Sequence, residues 1–199
     1  MSPRPDVSEE RRNQIIESAI KVLARDGFAN TRMEDVANES GLSKGLLYWY
    51  FKSKEDIIIA IADLLFSAEF RKMQDLSIEG QTAHDCLENF LGILIKDLQA
   101  MLKLAPMIYE FYALAFRNNT VRKVMHEYLQ RFVILMEPII QQGMERGEFL
   151  PGDARQATIT IGAAFEGTLL LWSYAPDLIQ PEQQLRASLA ILIRGLECQ

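Results

Sequence analysis

The chain has 199 residues, 49% of them apolar and 24% charged, and its formal net charge is −6. That length supports one or two small domains with a real hydrophobic core, and the acidic balance excludes a polybasic tail as the source of any nucleic-acid binding. The two cysteines, Cys86 and Cys198, form neither a disulfide framework nor a C-x-x-C pair, so a reducing compartment is the simplest reading.

The N-terminal stretch MSPRPDVSEERR is polar and lacks the apolar core of a secretion signal. Asp63 and Glu166 interrupt the most apolar runs, so neither run is a membrane span. The expectation is a soluble, cytoplasmic protein.

Taken in order, the elements are almost all helical. The first helix is expected from about Ser8 to Asp26, with Ile15, Ile16, Ala19, Ile20 and Leu23 on one face and Gly27 as its stop. Thr31-Arg-Met-Glu34 has the spacing of a capping box and predicts a second helix that ends at Gly41. Ser43 caps a third, short helix. Ser53-Lys-Glu-Asp56 opens a fourth, running from about Lys54 into the mid-seventies, and Gly80 marks a break. Further helices are expected near Thr82–Lys103, Pro106–Arg117, Thr120–Arg146, Asp153–Tyr174 and Pro181–Leu196, with Pro106 and Pro181 at first-turn positions. Ile-rich runs such as Ile57–Ile61 lie inside these helical patterns, and no strand signal survives.

The segment Thr31–Lys54 carries the most specific chemistry. It reads as two short helices joined by a tight turn, the layout of a helix-turn-helix that places its second helix in the DNA major groove. Ala37 allows a close helix crossing, Gly41 tolerates the positive φ of a tight corner, and Val36, Leu42 and Leu47 fill the unit's core. This leaves Ser43, Lys44, Gly45, Leu46 and Tyr48 on or near the free face of the third helix. Lys44 can reach a phosphate or a guanine edge, Leu46 a thymine methyl, and the Tyr48 hydroxyl a phosphate, while Gly45 lets the backbone come close. Lys54, at a helix start, offers another phosphate contact. From Ser43 to Lys54 there are three lysines and no acid. Phe51 pairs inward with Leu47.

The residues Asp26-Gly27-Phe28, Thr31, Val36-Ala37, Gly41-Leu42-Ser43-Lys44-Gly45, Leu47-Tyr48-Trp49-Tyr50-Phe51 and Lys52-Ser53-Lys54-Glu55 resemble the N-terminal domain of the TetR family of transcriptional regulators. The resemblance covers the first quarter to third of the chain. It implies an all-α protein: a three-helix DNA-binding domain with a helix-turn-helix, then a helical ligand-binding and dimerisation domain, joined by the fourth helix into a homodimer. On this reading residues 1–53 form the first domain and 54–199 the second. By motif position Thr31, Arg32, Ser43, Lys44, Gly45, Tyr48, Tyr50 and Lys54 form the DNA-contact set. Trp49 stands where a tyrosine is often found, and either contacts the sugar-phosphate edge or packs.

The C-terminal two thirds have no motif of this kind. Met101, Met107, Tyr109, Phe111, Tyr112, Phe116, Tyr128, Phe132, Met136, Phe165 and Trp172 are each expected in a core, but together they suit an adaptable apolar cavity between helices for an apolar small-molecule effector. Glu166 lies in an apolar run, where it either pairs with an arginine or marks a polar point of that cavity. Thr160, Ala163, Ala164 and Gly167 make a small-residue stripe, and Leu185, Leu189, Leu192 and Leu196 an apolar one. Given the resemblance, a four-helix bundle between two copies is the favoured reading of these stripes over an intramolecular core. His84-Asp85-Cys86 and His126-Glu127 are consecutive helical residues that point apart, so neither makes a site. No catalytic, metal or cofactor pattern stands out. The expected function is a regulator, most often a repressor in such families, that binds a palindromic double-stranded DNA operator and responds to the effector.

Overall fold

The computed structural model describes residues 7–73 and 80–197. Cys198 and the end expected for the fourth helix lie outside the described residues. The elements are α1 (Val7–Asn30), α2 (Met33–Ser40), α3 (Lys44–Tyr50), α4 (Lys54–Met73), α5 (Ala83–Ala115), α6 (Asn119–Glu145), α7 (Ala154–Tyr174) and α8 (Pro181–Leu196). The fold is all-α. Among the described residues the β pairing is a single isolated bridge, Phe149 with Glu197, and no helix is long and apolar enough to cross a membrane.

The chain divides into two compact units. One comprises residues 1–66 with 106–125, the other 67–105 with 126–199. The first unit takes in the end of α5 and the start of α6 beside the N-terminal helices.

In the first unit, α1 buries Ile15, Ile16, Ala19, Val22 and Leu23 along one face. Gly27, at φ 72°, breaks the helix where its sequence position predicts, and one further turn follows. The start of α2 differs from the expected box. Arg32, not Thr31, is the N-cap, and the Asp35 carboxylate accepts from the Arg32 N–H at 2.8 Å. Thr31 instead closes the preceding turn, its hydroxyl donating to the Gly27 carbonyl at 2.7 Å. Gly41 ends α2 at φ 67°, a conformation that costs a residue with a Cβ roughly 1–2 kcal/mol. The Leu42 N–H then reaches the Ala37 carbonyl at 3.2 Å, satisfying a terminal acceptor of α2. Ser43 accepts from the Leu46 N–H and opens α3. Ser53 and Asp56 cap α4 reciprocally, each side chain accepting the other's N–H at 3.1 Å.

A second difference is α5. The sequence predicts a break at Pro106, yet one helix of 33 residues runs through it. A proline removes one internal hydrogen bond and crowds the preceding turn, at about 3 kcal/mol. Burial on both sides of it, from Leu87, Leu94 and Leu98 to Phe111, compensates. Pro106 is also where the division between the two units falls.

The second unit is held by Leu87, Phe90, Met136, Ile140, Phe149, Ile161, Leu189 and Ile193, all buried. It is tightly packed at Gly143 in α6, where an added Cβ would lie 2.5 Å from the Phe149 ring and 2.7 Å from the Ala83 Cβ. Gly143→Ala is therefore expected to lower stability by about 1–3 kcal/mol through overpacking. Gly92→Ala, in α5 with nothing within 4 Å of its Cβ position, should be neutral or stabilising by up to about 1 kcal/mol. Urea unfolding midpoints of the two variants check the contrast.

Candidate nucleic-acid interface and apolar chamber

The helix-turn-helix is aimed by contacts from α1. The Gln14 side-chain amide donates to the Ser40 carbonyl at 2.8 Å, fixing the corner between α2 and α3. The Arg12 guanidinium lies 5.5 Å from the centre of the Phe51 ring. Leu47 is fully buried and Phe51 nearly so, which anchors one side of α3. Its other side is bare. Lys44, Gly45 and Leu46 are exposed, as is Ser43 at the N-cap. Tyr48 is 40% exposed and Trp49 65%. Tyr50 is half-buried and meets the Trp49 ring edge-on, with centroids 4.7 Å apart. Trp49 thus both projects outward and packs on its neighbour.

Lys44 is tethered but accessible. Its ammonium lies 3.3 Å from Glu34, with both side chains well exposed. The Glu34 carboxyl is held below the usual range, first by its own backbone N–H and then by Lys44. An exposed pair of this kind exchanges readily for a phosphate. Lys52 turns back and donates to the Tyr48 carbonyl at 2.8 Å, a cation at the C-terminal end of α3. Arg32 is exposed.

Two members of the expected contact set are placed otherwise. Thr31 is buried and bonded to Gly27. Lys54 does not point its ammonium at solvent. It donates to the carbonyls of Phe28 at 2.5 Å and Thr31 at 2.9 Å, and sits 3.9 Å from the centre of the Phe28 ring. The carbonyls left by the break at Gly27 attract the cation internally, which an argument from its position at a helix start does not capture. Opposite it, the Glu110 carboxylate accepts from the Phe28 N–H at 2.8 Å. Glu110 carries no local signal in the sequence, since its partner is 82 residues away.

The expected cavity residues separate. Met107, Tyr109, Phe111, Tyr112 and Phe116 belong to the first unit. There Met107 and Phe111 are buried, and Phe116 is 85% exposed. In the second unit Tyr128, Phe132, Phe165 and Glu166 come together around an apolar chamber of about 220 Å³ between α5, α6 and α7. The sequence reading missed Phe90, Leu94, Leu129, Ile159 and Gly162, which complete the wall with Ala163. Gly162 is what lets Phe132 in, since a Cβ there would be 2.9 Å from the ring. Met136 is fully buried core, and Met101 and Trp172 are half-buried away from the chamber wall.

Part of the apolar stripe of α8 turns into its own chain. Leu185 and Leu189 are buried in their own chain, and with Ala164 and Leu192 they line a junction with Phe90, Leu91 and Leu94 of α5. Leu196 is half-buried, and its carbonyl accepts from the Leu150 N–H. A stripe at helical spacing reports burial without naming the partner; here α8 packs on α7, with α5 across the shared junction. The outward apolar residues are Ala163, Leu170, Leu171 and Tyr174 of α7 and Ile191 of α8, the last 64% exposed. Gly167 is half-buried with open space at its Cβ position.

Residues 15–61 match the family model described as bacterial regulatory proteins, tetR family, and residues 84–196 match that of the BetI-type transcriptional repressor, C-terminal. An uncharacterized HTH-type transcriptional regulator of Bacillus subtilis, YfiR, is 33% identical over 154 residues, covering 76% of this chain and 75% of that one. The fatty acid metabolism regulator protein of the same organism is 28% identical over 160 residues, covering 80% and 81%. Among solved structures, the transcriptional regulator FadR from Bacillus subtilis in complex with stearoyl-CoA superposes with a TM-score of 0.77 at 26% identity, covering 93% of this chain and 99% of that one.

The placement of the two lysines predicts different phenotypes. Lys44→Ala should leave stability unchanged and lower the salt slope of DNA binding by about one. Lys54→Met removes two charge-assisted bonds to carbonyls and should cost about 2–3 kcal/mol of stability. Fluorescence anisotropy at several salt concentrations, beside urea unfolding, separates the two.

Proposed function

The chain belongs to the TetR family of bacterial regulatory proteins, and we propose that it is a ligand-responsive repressor released from a palindromic operator by an apolar small molecule. The observation that carries this reading is the bare side of α3. Ser43, Lys44, Gly45, Leu46, Tyr48 and Trp49 are exposed together, over a helix whose other side is locked by Leu47. With Arg32 and Tyr50 they make up the proposed DNA-contact set. Thr31 and Lys54 belong to it as positioning residues, setting the turn that precedes α2.

Residues 1–53 read DNA, and 54–199 bind the effector and dimerise. One α3 covers only a few base pairs. Two copies related by a twofold axis would read half-sites about 34–36 Å apart. The outward residues of α7 and α8, from Ala163, Gly167 and Leu170 to Ile191, are the proposed meeting face, forming a four-helix bundle with those of a second copy. Leu170→Glu with Ile191→Glu should convert the protein to a monomer by sedimentation and weaken operator binding at least about tenfold, since both half-sites are then read separately.

The effector enters the chamber walled by Tyr128, Phe132, Phe165 and Glu166. A relative crystallised with stearoyl-CoA supports a ligand with a long apolar part. The effector acts by preferring a conformation in which the two copies of α3 no longer match successive grooves. Operator titration with and without saturating lauroyl-CoA or dodecanol tests this. The expected weakening is about 5–150-fold, the usual scale of such coupling. Unchanged operator affinity, with either compound demonstrably bound, rejects it.

A further inference from the structure

Beside the apolar chamber the second unit carries an open groove of about 450 Å³, lined by Ser67, Phe70 and Arg71 of α4 and by Arg131, Ile134 and Leu135 of α6. Its floor is apolar, and Ile134 is 71% exposed. Arg71 and Arg131 bring two cations to it. Among the described residues neither makes an ion pair or a hydrogen bond. Elsewhere in this acidic chain Arg25, Arg155 and Arg186 are paired with carboxylates, and Arg146 and Arg194 donate to backbone carbonyls.

Groove and chamber adjoin. Phe70, on the groove side, packs against Tyr128 with ring centroids 5.4 Å apart, and Tyr128 is part of the chamber wall. The chamber alone is smaller than the roughly 300–1,000 Å³ of most small-molecule sites. The groove supplies further volume with a different chemistry.

We propose that Arg71 and Arg131 form the head-group subsite of the effector site, and that the effector is an amphipathic anion: its apolar tail passes the Phe70–Tyr128 pair into the chamber, and its anionic head stays on the two guanidiniums. This rests on the reading above that the chamber takes the apolar part. Two guanidiniums with no partner among the described residues, within one groove, match a carboxylate or phosphate, which each can hold through a two-toothed hydrogen-bonded fork. The two linings set the direction: the chamber wall is mainly apolar, so an anionic head would lose its hydration there, whereas the groove offers it two cations.

Binding to the full-length protein is measured by calorimetry with lauroyl-CoA, laurate and dodecanol, each below its micelle concentration. The wild type should bind at least one of the anions about tenfold or more tighter than the neutral alcohol. A phosphate-bearing head is indicated if lauroyl-CoA leads, a carboxylate if laurate leads. Arg71→Ala with Arg131→Ala should abolish that preference while leaving dodecanol affinity within about twofold. Arg71→Lys with Arg131→Lys should restore part of it, because charge returns without the fork. Both arginines are exposed, so these variants keep the core intact. Ile159→Trp, which fills the chamber, should weaken all three ligands alike. If the double alanine variant keeps the wild-type preference, the head-group assignment is overturned while the chamber reading stands on the Ile159→Trp result. If none of the three binds, both fall.

Discussion

The break at Gly27 leaves α1 with a terminal turn whose backbone groups need partners, and the first unit is organised around supplying them. Lys54 satisfies the carbonyls of Phe28 and Thr31, while Glu110 satisfies the Phe28 N–H. A cation on acceptors and an anion on a donor each match the polarity of the group they meet, so each bond is of the stronger, charge-assisted kind. The Phe28 ring lies under the lysine and adds attraction through its negative face. Without these partners the turn would carry unsatisfied polar groups in a partly buried place, at about 1–3 kcal/mol each. Because Thr31 immediately precedes the N-cap of α2, fixing this turn also fixes where the helix-turn-helix begins.

The rest of the reading unit follows from local chemistry. α2 and α3 have only eight and seven residues, far below the length at which an isolated helix holds in water. They persist because each end is capped within a few residues and each buries an inward face: Val36 and Ala37 on α2, Leu47 on α3. The outward side of α3 is then free of structural duty, which is the condition a groove-reading surface requires.

What the sequence made legible tracks how far apart the interacting residues are. Gly41, the Ser43 cap and the reciprocal Ser53–Asp56 box involve partners within four positions, and their roles are visible as spacing. The inward Leu47–Phe51 pair is read from one helical turn. Lys54 and Glu110 escape this kind of reading, since their partners lie 23 to 82 residues away. Pro106 misleads for another reason: local propensity favours a break there, and burial along the whole of α5 outweighs it. The leucine stripe of α8 is visible as a pattern, but a pattern does not say which surface covers it, and its buried part meets α7 and the junction with α5. The chamber was half-legible. The aromatic residues of α6 and α7 in its wall are visible as a group in the sequence, whereas the Phe90 and Leu94 wall from α5 reads as ordinary core.

The membership of residues 106–125 in the first unit bears on protein engineering. Hybrid regulators are conveniently spliced just after the third helix, so that one parent's sequence preference is married to another's chemical sensor. In this chain such a splice would carry Phe28 across and leave Glu110 behind, facing whatever the new parent happens to place there. A transplant that keeps the reading head properly seated has to take the tail of α5 along as a second, non-contiguous graft.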